Sequence, residues 1–102
     1  MNKDTSKLTQ TLEGLVSHLK KFNEQHWSKL IEDDLHFLRK GDDYGAKRFL
    51  TYFGGMGSLN DVWLCSANGH TVADEKQQQV NAEFDALKSQ AWSLACEITK
   101  HV

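Results

Sequence analysis

The chain has 102 residues, of which 39% are hydrophobic and 25% charged, and its formal net charge is -2. These values are typical of one globular domain and not of a disordered segment. The slightly acidic balance argues against a nucleic-acid-binding protein, which normally carries a clustered basic excess. No apolar run approaches the roughly 20 residues needed to cross a membrane. We therefore expect a single helical domain over residues 1–102 that binds neither nucleic acid nor membrane.

The cysteines and the N-terminus bear on the compartment. Cys65 and Cys96 are not spaced like metal ligands, so a reduced chain without metal is the simpler interpretation. The first seven residues lack the apolar segment of a signal peptide. The sequence therefore predicts a cytoplasmic protein.

The first half of the chain contains two stripes of apolar residues at helical spacing. The first stripe, from Leu8 to Phe22, predicts a helix whose N-cap is Thr5 or Ser6. The second, from Trp27 to Leu38, ends just before Gly41, and glycine is favoured after the last turn of a helix.

Two further helices follow. A short one is expected to open at Asp42 or Asp43, to carry apolar residues from Tyr44 to Phe53 and to stop at Gly54. A long one carries the stripe Val80 to Ile98, with Asp74 as its predicted N-cap.

The segment between these two helices is irregular. Residues 62–65 are apolar and the Asn68-Gly69 pair is a strong turn signal, so a short extended pair is possible there. The predicted fold is all-α: a small antiparallel four-helix bundle with a glycine-rich irregular insert between its third and fourth helices.

Three glycines, Gly54, Gly55 and Gly57, fall within four residues after the third predicted helix. Backbone N–H groups in such loops can hold phosphate. However, the phosphate-loop pattern needs a Lys before its Ser or Thr, and the dinucleotide pattern needs a preceding strand. We therefore predict a structural turn in which Asn60 and Asp61 hydrogen-bond the local backbone.

Asp34 falls in the middle of the apolar arc of the second helix. A buried carboxylate costs several kcal/mol unless it is paired or hydrogen-bonded, so Asp34 requires a partner. The candidates are the N–H groups of the glycine loop, an indole N–H or Arg48. We interpret Asp34 as a buried brace, because a catalytic acid would need a second titratable group at a defined distance.

The sequence contains no catalytic constellation. The five histidines show no pairing that would place two metal ligands on one helical face, and we expect them to be ordinary solvated side chains. Neither cysteine has a base beside it in the sequence. The expectation is a protein that is not an enzyme and uses no metal or other cofactor.

Two features are candidates for contact with a partner. The first is a group of carboxylates around the second and third helices, which is either a solvated face or a patch that meets a basic surface. Its members are Glu32, Asp33, Asp42 and Asp43. The second is Trp92, which lies off the main stripe of the last helix and is either a lid over the insert or an interface anchor.

Three stretches resemble a family of small uncharacterised bacterial helical proteins. They are the run from Phe53 to Asp61 (Phe-Gly-Gly-Met-Gly-Ser-Leu-Asn-Asp), the Asn-Gly-His at residues 68–70, and Val80-Asn81. The resemblance covers roughly residues 20 to 100. Members of that family resemble immunity proteins of contact-dependent or polymorphic toxin systems, so the resemblance implies a binding role and supplies no catalytic residues.

The leading hypothesis is thus a cytosolic immunity protein that neutralises a cognate toxin domain, a nuclease, by occluding its active site. One alternative is a small ligand-binding domain that uses the glycine-rich loop and Asp34. Another is a structural subunit that forms a homodimer, and the sequence leaves the oligomeric state open.

Overall fold

Within residues 3–54 and 57–100, four α-helices pack against one another, and the predicted all-α fold is confirmed. A computed structural model describes residues 3–54 and 57–100. The helices are α1 (Lys3–Lys21), α2 (Gln25–Arg39), α3 (Tyr44–Leu50) and α4 (Gln77–Thr99). The first helix packs against α2 and α4, and α3 packs against the same two helices. Among the described residues no helix is long and apolar enough to cross a membrane.

Neighbouring helices run antiparallel. On the boundary between α1 and α2, Glu13 contacts Arg39 and Lys20 contacts Glu32. Residue numbers therefore increase along α1 while those of the contacting residues on α2 decrease. The boundary between α1 and α4 shows the same opposite progression. There His18 contacts Val80, and a Cβ added to Gly14 would lie 3.7 Å from the Leu87 side chain.

One hydrophobic core joins all four helices and the insert. The stripe expected on α1 is buried from Leu8 to Leu19, whereas of the stripe on α2 only Ile31, Leu35 and Leu38 are buried and Trp27, Leu30 and Phe37 are partly exposed. The core side chains are Leu8, Leu12, Leu15, Val16, Leu19, Ile31, Leu35, Leu38, Ala46, Phe49, Leu59, Leu64, Val72, Val80, Phe84, Ala91, Ala95 and Ile98. On α4, Leu87 and Leu94 are only partly buried, whereas Lys88 is buried. Because α4 packs against both α1 and α3, its buried arc is wider than its apolar stripe.

The N-caps expected for the first and last helices are wrong. Thr5 and Ser6 lie inside α1, which already includes Lys3. Asp74 opens a single 3-10 turn (Asp74–Lys76), and α4 begins only at Gln77. Backbone carbonyls inside that turn satisfy the N–H groups that a side-chain cap would otherwise serve, and the Lys76 N–H donates to the Ala73 carbonyl.

The junction between α2 and α3 agrees with the sequence. Gly41 has φ +80° directly after Lys40, the C-cap of α2, a left-handed conformation that glycine adopts without steric cost. Asp43 occupies the N-cap position of α3, while the side chain of Asp42 accepts a hydrogen bond from the Tyr44 N–H at 2.9 Å. However, α3 ends at Leu50, a few residues before the expected stop at Gly54.

The insert between α3 and α4 contains single 3-10 turns instead of an extended pair, and the described residues include no strand. Its first two turns are Leu59–Asp61 and Ser66–Asn68. The insert lies on the bundle through polar contacts: the Thr71 N–H donates to the Phe22 carbonyl, in the loop between α1 and α2.

Candidate functional site

Asp34 is fully buried between α2 and the segment that follows α3. Its Oδ1 accepts a hydrogen bond from the Tyr52 hydroxyl at 3.0 Å and lies 3.2 Å from Nε of Arg48. Its Oδ2 has no hydrogen-bond partner in the part of the chain that the structure describes. Arg48 is thus confirmed as a partner. Within residues 3–54 and 57–100, Asp34 has no hydrogen-bonding contact with the glycine loop or an indole N–H. Sequence reasoning did not identify Tyr52. We call Asp34, Arg48 and Tyr52 the Asp34 cluster.

A glycine allows α3 to approach α2 closely enough to form the Asp34 cluster. A Cβ added to Gly45 would clash with the carbonyl oxygen of Asp34 and would lie 2.9 Å from the Leu38 side chain. Because Gly45 removes that obstacle, the following turn brings Tyr52 over α2. There the Tyr52 hydroxyl lies 3.2 Å from the Leu30 carbonyl oxygen as well as beside Asp34.

Burial dominates the electrostatics of the Asp34 cluster. It raises the pKa of Asp34 to about 7, although the Tyr52 hydrogen bond and the Arg48 charge act in the opposite direction. Burial, followed by the negative charge of Asp34, also raises the pKa of Tyr52, so the phenol stays protonated. Since Asp34 has no exposed surface, a ligand cannot reach it without separating α3 from α2. The cluster is therefore a brace whose protonation changes near neutral pH.

In the described part of the glycine-rich loop, Asp61 hydrogen-bonds the local backbone, as expected. Gly54 and Gly57 have φ +101° and +77°, and the Gly57 N–H donates to Oδ2 of Asp61 at 2.8 Å. This N–H group is therefore satisfied by the loop's own carboxylate and is not available to a phosphate. The Asn60 side chain is exposed and forms no hydrogen bond within the described ranges, contrary to the expectation for it. Gly55 lies outside the described residues.

Trp92 lies at a groove between α4 and the segment after α3. The indole is 46% exposed, so it is not a closed lid over the insert. The groove has a volume of about 500 Å³. Its lining consists of Phe53, Asn60, Asp85, Lys88, Ser89, Trp92 and Ser93. We call it the α4 groove; none of the four carboxylates suggested as partner contacts lines it.

Those four carboxylates differ in their surroundings. Glu32 forms an ion pair with Lys20 of α1, and Asp42 caps the Tyr44 N–H. The side chain of Asp33 is exposed, and that of Asp43 is half-buried without a capping hydrogen bond. Glu32 and Asp33 lie in the middle of α2, whereas Asp42 and Asp43 lie in the turn before α3. The four carboxylates that were grouped from the sequence therefore lie in two separate places.

Sequence reasoning placed Tyr44 in the apolar stripe of the third helix, but its side chain is 52% exposed. Its ring meets the ring of Phe37 edge-on, with 5.1 Å between centroids. Tyr44 directly follows Asp42 and Asp43, so the entrance to α3 presents an aromatic ring beside carboxylates. The position of Tyr44 at the first residue of α3, where the helix has just begun to cover α2, explains its exposure.

The expectation of solvated histidines holds for His26 and His36, which are exposed, but is wrong for two others. The His18 side chain is 9% exposed, and its Nε2 lies 3.0 Å from the Val80 carbonyl oxygen. The His70 side chain is 8% exposed. Both fill boundaries between elements that the sequence alone does not define. His101 lies outside the described residues.

His70 ties the insert to the α1–α2 loop. The Cys65 N–H donates to Nδ1 of His70, so that nitrogen is unprotonated and the Nε2–H faces Glu24 at 3.5 Å. The other carboxylate oxygen of Glu24 caps α2 by accepting the Trp27 N–H at 2.8 Å. One glutamate therefore joins the start of α2 to the insert.

Asn81 fixes the insert to α4, and sequence reasoning assigned it no role beyond the resemblance. Its Oδ1 accepts the Leu64 N–H at 2.8 Å, and its Nδ2 donates to the Leu64 carbonyl at 2.9 Å. Nδ2 also donates to the Gln77 carbonyl at 2.9 Å. A buried asparagine that pairs with both polar groups of one residue replaces a strand partner for the insert. The one feature of the sequence that could have indicated this role is the position of the Asn81 amide directly after Val80, where the last apolar stripe begins.

No group of three or more potential ligands that could hold a metal ion occurs in residues 3–54 and 57–100. Cys65 and Cys96 are free thiols of intermediate exposure.

These features define a small all-α domain in which the buried Asp34 joins α2 to Arg48 and Tyr52, and an irregular insert is held by side-chain amide and imidazole groups. The chain belongs to a family described as a domain of unknown function, DUF6966, whose model matches residues 20–73. The matched segment contains the whole Asp34 cluster and the glycine-rich loop, and it ends before α4. Comparison with the curated proteins and with the solved structures gives no match.

Proposed function

We propose that this chain is an immunity protein, which binds a cognate bacterial toxin domain of the nuclease class in the cytoplasm and blocks its active site. Its role is binding and not catalysis. The proposal extends the resemblance carried by the run from Phe53 to Asp61 and by the Asn-Gly-His at residues 68–70. The observation that supports it best is an exposed tyrosine beside carboxylates at the entrance to α3.

We call this surface the acidic corner; it consists of Asp42, Asp43 and Tyr44 at the entrance to α3, and Asp33 is a separate exposed carboxylate on α2. Tyr44 is 52% exposed as a residue, and its ring meets the Phe37 ring edge-on. Tyrosine is among the residues that most often dominate binding energy at protein interfaces, because a rigid ring buries much area at little entropic cost. The acidic corner therefore supplies an anchor as well as charge.

A nuclease needs a basic cleft to hold its substrate, and carboxylates on an inhibitor attract that cleft. Such complementarity mainly speeds association, and salt screens it with a Debye length of about 8 Å at physiological ionic strength. Asp33 and Asp43 are suited to this role because neither side chain accepts a hydrogen bond within the described residues. Glu32 contributes less, since Lys20 already neutralises it.

The test uses the purified protein and the toxin domain encoded beside its gene. We expect a complex with a dissociation constant in the nanomolar range, and an association rate that falls as salt is raised. Reversal of two charges, Asp33→Lys with Asp43→Lys, should slow association and weaken protection of cells that express the toxin. Asp42 is left intact because it caps α3.

The matched control is the reversal of Asp74 and Glu75 to lysine, which changes the net charge equally in another exposed turn near a helix start. This control should leave the association rate close to that of the parent. Tyr44→Ala should raise the dissociation rate, because an anchor acts after encounter. Absence of any complex at micromolar concentration would refute the immunity function. A complex whose association rate responds equally to both double reversals would refute the acidic corner as its binding surface.

The alternative of a ligand site formed by the glycine-rich loop and Asp34 receives no support from the geometry. Asp34 is fully buried, and the Gly57 N–H is satisfied by Asp61. Homodimer formation stays a prediction.

A further inference from the structure

Lys88 occupies an unusual position on α4. Its residue surface is 5% exposed, whereas every other lysine whose side chain the structure describes is exposed. Lysine normally extends its ammonium group into water. Lys88 instead lies with Nζ 4.2 Å from the centroid of the Phe84 ring and 3.1 Å from Oδ1 of Asp85. The α4 groove therefore has a cation held in its wall.

The ammonium group has more donors than the described residues use. It carries three N–H donors and no acceptor. The carboxylate of Asp85 takes one donor and the face of Phe84 takes a second. No acceptor for the third lies in residues 3–54 or 57–100, so this donor is available to an oxygen atom in the groove.

The remaining polar side chains of the α4 groove also have free donors. Ser89 and Ser93 lie four residues apart on one face of α4, and Asn60 faces them from the loop. Their side chains form no hydrogen bond within the described ranges. Apart from Asp85, which is already paired with Lys88, the polar lining consists of groups that can donate. Such a lining is complementary to a carboxylate.

Aromatic rings supply the rest of the wall. Trp92 is 46% exposed, and Phe53 is partly buried against the core. The groove volume of about 500 Å³ falls in the range typical of small-molecule sites, which combine apolar walls with a few polar groups that fix orientation. We propose that the α4 groove binds a small aromatic carboxylate, whose carboxylate accepts hydrogen bonds from Lys88 and the serines and whose ring lies against Trp92.

This site is independent of the acidic corner, so either proposal can fail without the other. The test is an NMR titration that follows the indole N–H signals, with the Trp92 signal assigned from Trp92→Phe. Three probes share one ring system: 1-naphthoate, the neutral 1-naphthamide and the cationic 1-naphthylmethylamine. We expect 1-naphthoate to shift the Trp92 signal saturably. The other two should bind about tenfold more weakly or worse, because hydrogen bonds to a charged acceptor are the strong ones.

Lys88→Met separates recognition from folding, because methionine keeps an apolar stem of similar length and leaves Asp85, which is 64% exposed, in contact with water. It should weaken 1-naphthoate binding by about tenfold or more and leave the amide unaffected. Lys47→Met, at an exposed lysine on α3, is the matched control and should bind like the parent.

Three results would overturn the proposal: no saturable shift with 1-naphthoate, equal binding of naphthoate and naphthamide, or unchanged naphthoate binding in folded Lys88→Met. If naphthoate fails while the toxin domain perturbs the Trp92 signal, the groove is a protein contact and not a ligand site.

Discussion

The buried carboxylate of Asp34 makes the stability of this protein depend on pH in a way that differs from most proteins. An aspartate in an unfolded chain has a pKa near 3.9, whereas burial raises the pKa of Asp34 in the folded protein to about 7. Between these two values the folded state keeps a proton that the unfolded state has lost. Raising the pH through this window therefore lowers the free energy of unfolding.

The size of the effect follows from the shift. Three pKa units correspond to about 4 kcal/mol, and relaxation of the buried site around the ionised carboxylate reduces this cost, so we expect about 2–4 kcal/mol. The contribution of Asp34 is complete below about pH 4, declines from there, and is lost above about pH 7. A surface aspartate held by an ion pair would behave in the opposite way, since its contribution is lost on acidification.

Asp34→Asn provides the comparison, because the amide has a similar shape and does not titrate. Its amide nitrogen would replace Oδ2, which has no partner in the part of the chain described. The amide N–H donors would then be buried without acceptors, and the resulting loss of stability is the same at every pH. Urea denaturation at intervals from pH 4 to pH 8 should show the difference in stability between the parent and Asp34→Asn shrinking by about 2–4 kcal/mol. The other carboxylates titrate in both proteins, so their effects on the free energy of unfolding cancel in this difference.

Tyr52→Phe tests the cause. It removes the hydroxyl that donates to Asp34, so the pKa of Asp34 should rise further and the decline in stability should extend above pH 7. If the curves of the parent and Asp34→Asn stay parallel across the range, Asp34 titrates at its ordinary pKa and the reasoning from burial is refuted.

The other predictions concern packing and are measured by urea denaturation at pH 7. Asn81→Ala leaves both backbone groups of Leu64 without a partner and should cost about 2–4 kcal/mol. Gln78→Ala, at an exposed neighbouring position, should cost less than about 0.5 kcal/mol. Equal losses in the two variants would mean that Asn81 does not hold the insert. Leu12→Ala, at a fully buried position of α1, should cost about 2–5 kcal/mol, and Leu87→Ala, at a partly buried one, about 1–2. A larger loss at Leu87 would mean that α4 is rotated relative to the structure.

Features that depend on a single helix were predictable from the sequence. The stripes of α1 and α2 follow from helical spacing, the stop at Gly41 follows from its freedom at positive φ, and the burial of Asp34 follows from its place in an apolar arc. The partners of Asp34 were less accessible. Arg48 was among the candidates, but Tyr52 lies beyond the end of α3 and reaches Asp34 only because Gly45 lets the two helices approach.

The α4 groove was not predictable. The apolar stripe placed Leu87 at the centre of the buried face, but contact with both α1 and α3 leaves Leu87 partly exposed and buries Lys88. Similarly, His18 looked polar on its own helix, and its side chain is enclosed by α4, where it lies near Phe84. Helical spacing reports which side of one helix is apolar; it contains no information on how many neighbours cover that helix.

By itself, then, the sequence determined the elements: four helical segments, their apolar faces, the glycine turn and the need to pair a buried Asp34. These properties depend on interactions between residues close along the chain, where spacing and backbone freedom decide the outcome. The tertiary structure alone decided which polar groups meet. Tyr52 joined Asp34, Asn81 joined Leu64, and Lys88 entered the wall of a groove with Trp92, because each contact needs the relative position of two elements, which is set by packing of the whole core.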